Sequence, residues 1–335
     1  MGYPRMATGA ALALTVFGSA LGTTAASAAD VTMNVGWETP LESDYGVFAG
    51  KFEELVEQYS DGTIDVKLRC CGQIASEDNA FRALQLGTVD AYIISQNNVS
   101  PHWPLMDVLV LPYTFEDTDH LRAVADGPAG DRMKEQLLAD TGVHLLTFGG
   151  PSYRDFFNSV RPIETIEDMD GLKIRVPKNQ VMLATFEAFG AEPVPLAWSE
   201  TPTALQTGTI DGGDNGTNVI QEMKFYEFAP YLTVLDHFAG FSPLFVSDAF
   251  MKRLTDEQAE AVRRAAREAG DADMDYKIGK IEETRDWLVK EGGMQITRPD
   301  RAPFIEAARK VQEDFAEERG EAFAELLETI RQAAP

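Results

Sequence analysis

In GLKIRVP at 171–177, Leu172, Ile174 and Val176 alternate with Lys173 and Arg175, the period of a half-buried strand that Pro177 stops. Arg175 is thereby placed on the face opposite the apolar residues. Ile64, Val66 and Leu68 repeat the alternation, and 31–37 and 88–94 are further strand-like runs. Between them Phe48, Phe52, Leu55, Val56 and Tyr59 recur at helical spacing until Asp61-Gly62, and Glu77 to Leu86 reads as a helix stopped by Gly87. Strand, helix, strand, helix, strand predicts a mostly parallel sheet with helices on its faces. Ligands of such sheets meet the carboxyl ends of the strands, where Trp37, Glu38, Ser95 and Gln96 fall.

A second strand–helix series starts near 144–150 and runs through GLKIRVP, a helix at 179–190 and EPVPLAW, which reads as a second lobe. In PLAWSETPTALQTGTIDGGDN at 195–215, a short strand leads to Thr201, which can cap a helix with Pro202 at its first position and Gly208 at its close. Asp211-Gly212-Gly213-Asp214-Asn215 then has the composition of a turn. A guanidinium on the strand end and an amide on that turn could together receive a carboxylate. Asp256 to Gly292 lacks proline and predicts a helix longer than globular ones usually are, with Gly270 and Gly279 as weak points. A second helical run spans Phe304 to Ile330.

The amino terminus reads as a secretory signal peptide: Arg5, an apolar run at 10–22, and Ala26-Ser27-Ala28 before cleavage near Ala28 or Ala29. A membrane anchor is the alternative, but the run is short of the roughly 20 residues a span needs. Export to the periplasm is therefore expected. The mature chain is long enough for two lobes, at roughly 100–200 residues per domain. The net charge of −25 excludes a nucleic-acid partner, since phosphate contacts need a basic surface; a local anion site remains compatible with it. Cys70 and Cys71 are adjacent, so they cannot staple distant segments. They are two packed thiols or a strained vicinal disulfide. The histidines His102, His120, His144 and His237 are scattered without metal-ligand spacing, no nucleophile elbow occurs, and GVFAGKF at 46–52 has the wrong spacing for a phosphate loop. No cofactor, metal or catalytic residue is expected.

The two segments at 171–177 and 195–215, with VKLRCCGQIASEDNAFRALQLGTVDAY at 66–92, LVLPYTFED at 109–117, RPIETIEDMDGLKIRVP at 161–177 and KFYEFAPYLTVLDH at 224–237, resemble in order the DctP family. These are the periplasmic solute receptors of TRAP (tripartite ATP-independent) transporters. The resemblance implies an α/β, two-lobed binding-protein fold with a long C-terminal helix spanning both lobes. It divides the chain into lobe I (29–150 plus about 241–270, including the strand pattern of FSPLFVSD) and lobe II (151–240 plus about 271–335). It implies a non-enzymatic receptor that passes a small organic anion, such as a C4-dicarboxylate or sugar acid, to an ion-gradient-driven permease. Arg175 matches the arginine that clamps the ligand carboxylate, where a surface or interlobe salt bridge is the alternative. Arg154, Asn215 and Trp198 match cleft positions; Trp37, Glu38, Glu77 and Gln96 are weaker candidates from the first lobe. Pro202 and Gly216 depart from the family's tyrosine and proline. A sensory receptor and a secreted hydrolase of anionic sugars are the competing classes.

Overall fold

The computed structural model describes Gly2 and residues 29–335; the expected signal peptide, apart from Gly2, lies outside the described residues. The strands are β1 Val31–Gly36, β2 Ile64–Arg69, β3 Ala91–Ile93, β4 Val143–Thr147, β5 Ser152–Asn158 and β6 Lys173–Val176. They continue as β7 Glu192–Pro195, β8 Gly212–Gly216, β9 Tyr231–Thr233, β10 Ala239–Gly240, β11 Leu244–Ser247 and β12 Gln295–Thr297.

Two sheets form. The first runs β2-β1-β3-β11-β4, and the second runs β12-β9-β5-β8-β6-β7 with β10 paired to β5. In the first, β1 pairs parallel with β2 and β3, as the alternating strands and helices predict. β11 then enters antiparallel to both β3 and β4, so the sheet is mixed. β4 lies in this first sheet, and the second series begins only at β5. The chain crosses between the sheets at 148–151 and at 241–243, because β4 and β11 belong to one sheet and β5 and β10 to the other.

A third crossing is the helix Asp256–Lys290, 35 residues without a break at Gly270 or Gly279. It packs on the first-lobe helix Asp44–Tyr59 and on the second-lobe helix Thr217–Glu222. Gly270 is a packing position here and not a weak point: a Cβ there would sit 2.1 Å from Thr147 Oγ1. Its start is fixed by a capping box, with Thr255 accepting from Gln258 N and Gln258 returning a bond to Thr255 N. The expected single run to Ile330 is two helices, Ala302–Arg319 and Glu321–Gln332, divided at Gly320. The main core joins Met33, Phe48, Phe81, Phe245, Ile174 and Phe186 across both sheets, and a smaller cluster gathers Phe157, Trp198, Phe225 and Leu288. Among the described residues no helix is long and apolar enough to cross a membrane.

Candidate functional site

The cleft between the sheets holds a cavity of about 40 Å³ lined from both sides. Thr39, Tyr45, Glu77, Ser95, Asn97 and Asn98 come from the first lobe, and Arg154, Arg175, Pro177, Trp198, Asn215 and Val219 from the second. Of the residues expected from sequence, Arg175, Arg154, Asn215, Trp198 and Glu77 are brought together here.

Asn215 does not stand on a turn. Gly212–Gly216 is strand β8, antiparallel to β5 and parallel to β6, with Arg154 opposite Gly216 and Arg175 opposite Gly213. The glycines that suggested a turn serve close strand contact instead: a Cβ on Gly212 would lie 2.0 Å from Phe157 O. This pairing puts Arg175 and Asn215 on one face of the second sheet and Arg154 on the other, and all three reach the cavity at the same end of the strands. Trp198 sits in a short 3-10 turn, Trp198–Glu200, ahead of the helix Thr201–Gln206; Pro202 is the second residue of that helix, one place later than expected.

The two guanidiniums differ in charge balance. Arg154 donates Nε and Nη2 to the Asp214 carboxylate and Nη2 again to Asp214 O at 2.6 Å, and its Nη1 reaches Asn215 Oδ1 at 3.5 Å. Burial alone would push the Asp214 carboxyl up, but Arg154 and buried His237, whose Nε2 lies 3.3 Å away, hold it below the ordinary carboxylate range. Arg154 is therefore neutralised. Arg175 has no carboxylate partner among the described residues, although it is only 5% exposed. Its Nε and Nη2 donate to Leu196 O at 3.2 and 2.9 Å, and its guanidinium lies 5.5 Å from the Trp198 ring centre. Those contacts fix the plane of the fork and leave Nη1 without a protein acceptor among the described residues. Burial, with the charge of Arg154 nearby, pulls Arg175 down to about 10.

Across the cleft, Glu77 accepts from Ser95 N at 2.7 Å, and Glu38 accepts from Glu77 N at 2.8 Å. Burial pushes Glu77 up to about 7, with the Glu38 carboxyl adding to the rise and the Ser95 N–H opposing it. Burial raises Glu38 as well. The remaining candidates serve packing. Trp37 is wholly buried in the core and donates its indole N–H to Pro40 O, while Gln96 bonds Ala239 O and Phe241 N in the crossing segment. Neither they nor Glu38 line the cavity. Thr39, Tyr45, Asn97, Asn98, Pro177 and Val219 were not singled out by sequence, because they come from separate loops and element ends that no local pattern links. A larger groove of about 500 Å³ runs beside the helix Asp256–Lys290, but its two lysines are exposed and already paired, Lys280 with Glu283 and Lys290 with Asp286.

Because the folded pKa of Glu77 lies above its unfolded value, its protonated form contributes stability that is complete below about pH 4.5 and is lost as pH rises through about 7. Glu77→Gln keeps an acceptor for Ser95 N–H and cannot ionise. Urea unfolding should show the parent losing on the order of 2 kcal/mol more than this variant between pH 5 and pH 8. Parallel pH profiles would remove the assignment.

The profile of the bacterial extracellular solute-binding proteins, family 7 (DctP), matches residues 36–319. The 2,3-diketo-L-gulonate-binding periplasmic protein YiaO of Escherichia coli is 30% identical, over 95% of this chain and 96% of its own. A TRAP periplasmic solute-binding protein from Bordetella, with density assigned to pantoate, superposes with a TM-score of 0.86 at 29% identity, covering 91% of this chain and all of that one. Another, from Polaromonas sp. JS666 bound to D-erythronate, gives a TM-score of 0.85 at 28% identity over 90% of this chain and 98% of its own. Match length and order of elements agree with the cleft geometry: this chain belongs to the DctP family of bacterial extracellular solute-binding proteins.

Proposed function

We propose that the chain is a periplasmic receptor for a small acid bearing one carboxylate and several hydroxyl or keto groups, a sugar acid or a close relative. It passes this ligand to a TRAP-type permease driven by an ion gradient. The observation that carries the reading is Arg175, a buried cation without an anionic partner among the described residues. An isolated buried charge is strongly disfavoured, and a ligand carboxylate removes the imbalance.

The same accounting disfavours a dicarboxylate. A second carboxylate needs a second unpaired cation, yet Arg154 is spent on Asp214 and Lys277 on Asp44 and Asp273. The other lining groups suit hydroxyls: Thr39, Tyr45, Ser95, Asn97, Asn98 and Asn215 offer donors and acceptors together. The relatives from Escherichia coli, Bordetella and Polaromonas are named for 2,3-diketo-L-gulonate, pantoate and D-erythronate, each a single acid rich in oxygen. A cavity lined from both lobes is filled by a ligand that enters with the lobes parted and is held as they shut. Ligand contacts from both lobes form only in the shut state, and the ligand shifts the equilibrium by that difference. The sheet membership of the strands supports lobe boundaries at 29–150 plus about 241–270 and 151–240 plus about 271–335. The work assigned to these residues is binding, not catalysis.

A thermal-shift panel tests the reading, with D-erythronate, pantoate and hexonates set against C4-dicarboxylates. An acid at 100 times its dissociation constant stabilises by about 2.7 kcal/mol. Tighter binding of a dicarboxylate than of every hydroxy acid overturns the ligand class. Within the panel, Asn215→Ala and Trp198→Ala should reorder affinities, because a polar group left unpaired rejects the analogue that lacks its partner. One common factor across all acids would deny Asn215 and Trp198 a role in selection.

A further inference from the structure

Behind the ligand cavity lies a second polar cluster that the binding reading does not use. Lys277, on the crossing helix and 1% exposed, lies 3.3 Å from Asp44 and 3.2 Å from Asp273, and donates to Ser242 Oγ at 2.6 Å. Asp273 also accepts from Gly150 N at 2.6 Å, so Asp273 and Lys277 together tie the helix to both crossing segments. From the second lobe Glu222 reaches across the cleft, and its Oε1 accepts from Asp44 N at 2.9 Å. Its other oxygen, Oε2, is buried and has no hydrogen-bond partner among the described residues.

Three carboxyl groups thus share one ammonium, with Asp44 and Asp273 buried and Glu222 partly buried between them and the groove. Asp44 and Asp273 each touch that ammonium; Glu222 forms no ion pair with it. Full ionisation would leave two uncompensated negative charges, and a proton on one carboxyl halves that excess, which burial favours. The carboxyl without an ion pair is the one that keeps a proton. We propose that Glu222 is a protonated latch between the two lobes, and that losing its proton loosens the shut cleft.

The surroundings agree. Burial, with the Asp44 carboxylate second, pushes Glu222 up to about 8, against the opposing pull of the Asp44 N–H and of Lys277. Burial raises Asp273 too, although Lys277 holds it back. The other titratable groups facing the cluster are Tyr45, whose ring lies 5.0 Å from Lys277 Nζ, and, in the groove on the outer side of Glu222, Tyr276, Lys280 and Glu283. Lys280 and Glu283 neutralise each other at 2.8 Å. The latch is coupled to the ligand cavity by short connections. The helix Thr217–Glu222 carries Val219 into the cavity and Glu222 into the latch, and Asp44 lies beside cavity-lining Tyr45.

The sign depends on where the proton sits. In the shut form Glu222 titrates near 8; with the lobes apart it loses Asp44 and returns toward 4.5. The shut form therefore holds the extra proton between those limits, and rising pH favours the parted form. The inference rests on the two-lobed receptor fold but on no ligand class, and its test uses ligand-free protein. The carboxyl ¹³C signal of Glu222, assigned by Glu222→Gln with Glu222→Asp as a second variant, should titrate near 8. Small-angle scattering at pH 6 and pH 9 should show the parent's radius of gyration growing, while Glu222→Gln stays the same at both. A midpoint near 4.5 overturns the latch. So does a radius that ignores pH in the parent, or one that grows equally in Glu222→Gln. A failed acid panel would instead strike the ligand class and leave these readouts untouched.

Discussion

Arg175→Lys will weaken every acid that the parent binds by about thirtyfold or more, while the folded protein keeps its stability near that of the parent. Charge is retained in this variant; geometry is not. Nε and Nη2 of Arg175 share Leu196 O, and Trp198 lies against the guanidinium, so the plane of the fork is set before a ligand arrives. A lysine ammonium offers neither a planar fork nor a face to stack. It cannot hold Leu196 O and a carboxylate in the same fixed arrangement. Loss of one partner from a buried charge pair costs about 2–5 kcal/mol, and about 1.4 kcal/mol is a factor of ten. Calorimetry with the tightest acid of the panel reads this directly. Arg175→Ala should go further and weaken all acids together, because it removes the anion contact that they share. Binding by Arg175→Lys as tight as the parent's would place the carboxylate elsewhere in the cleft.

Arg175 is a residue the sequence made visible. It stood out because the strand around it alternates and Pro177 stops it, and β6 has those bounds. Two facts that decide its role were hidden. The sequence does not tell which of Arg154 and Arg175 is neutralised, since the answer depends on Asp214 lying across the β5–β8 pairing. Asp214 and Asn215 themselves were read as a turn because Asp, Gly and Asn dominate turns. In the strand those residues form, the neighbouring strand's backbone at Phe157 and Asn158 comes too close to Gly212 to leave room for a side chain, and no local pattern reports that contact. The first lobe's contribution was harder still. Trp37 and Gln96 fall near strand ends, as the topology demands, yet their side chains turn into the core and the crossing segment. The side chains that reach the cavity, Thr39, Tyr45, Asn97 and Asn98, sit at element edges, where a shift of one residue changes the direction of the side chain. The long helix was legible in extent from its lack of proline, but its service as a strut between lobes comes from partners far away in sequence.

One of those partners gives the largest stability effect expected outside the cavity. Asp155 follows Arg154 on β5, and strand alternation turns it to the opposite face. There it meets Arg285 of the crossing helix in a two-point contact, Nε to Oδ2 at 2.9 Å and Nη2 to Oδ1 at 2.7 Å. Thr217 Oγ1 donates to the same carboxylate at 2.6 Å, and Asp236 takes a further bond from Arg285 Nη2 at 2.7 Å. Asp155 is 0% exposed and Arg285 5%, so water cannot replace a lost partner. Burial raises the Asp155 carboxyl, and the bonds and charge of Arg285 oppose that rise. Removing one member of such a pair strands the other, at a cost of about 3–5 kcal/mol, whereas replacing both by apolar residues of similar volume costs far less. Asp155→Ala should therefore lower the unfolding free energy in urea by about that amount. Asp155→Leu combined with Arg285→Met should recover most of it, giving a large coupling in a double-mutant cycle. Neither residue lines the cavity, so the double variant should still bind the panel acid that the parent binds. A single variant that costs less than about 1 kcal/mol would show that Asp236 and Glu282 alone suffice to hold Arg285, and that the strut between the lobes does not depend on Asp155.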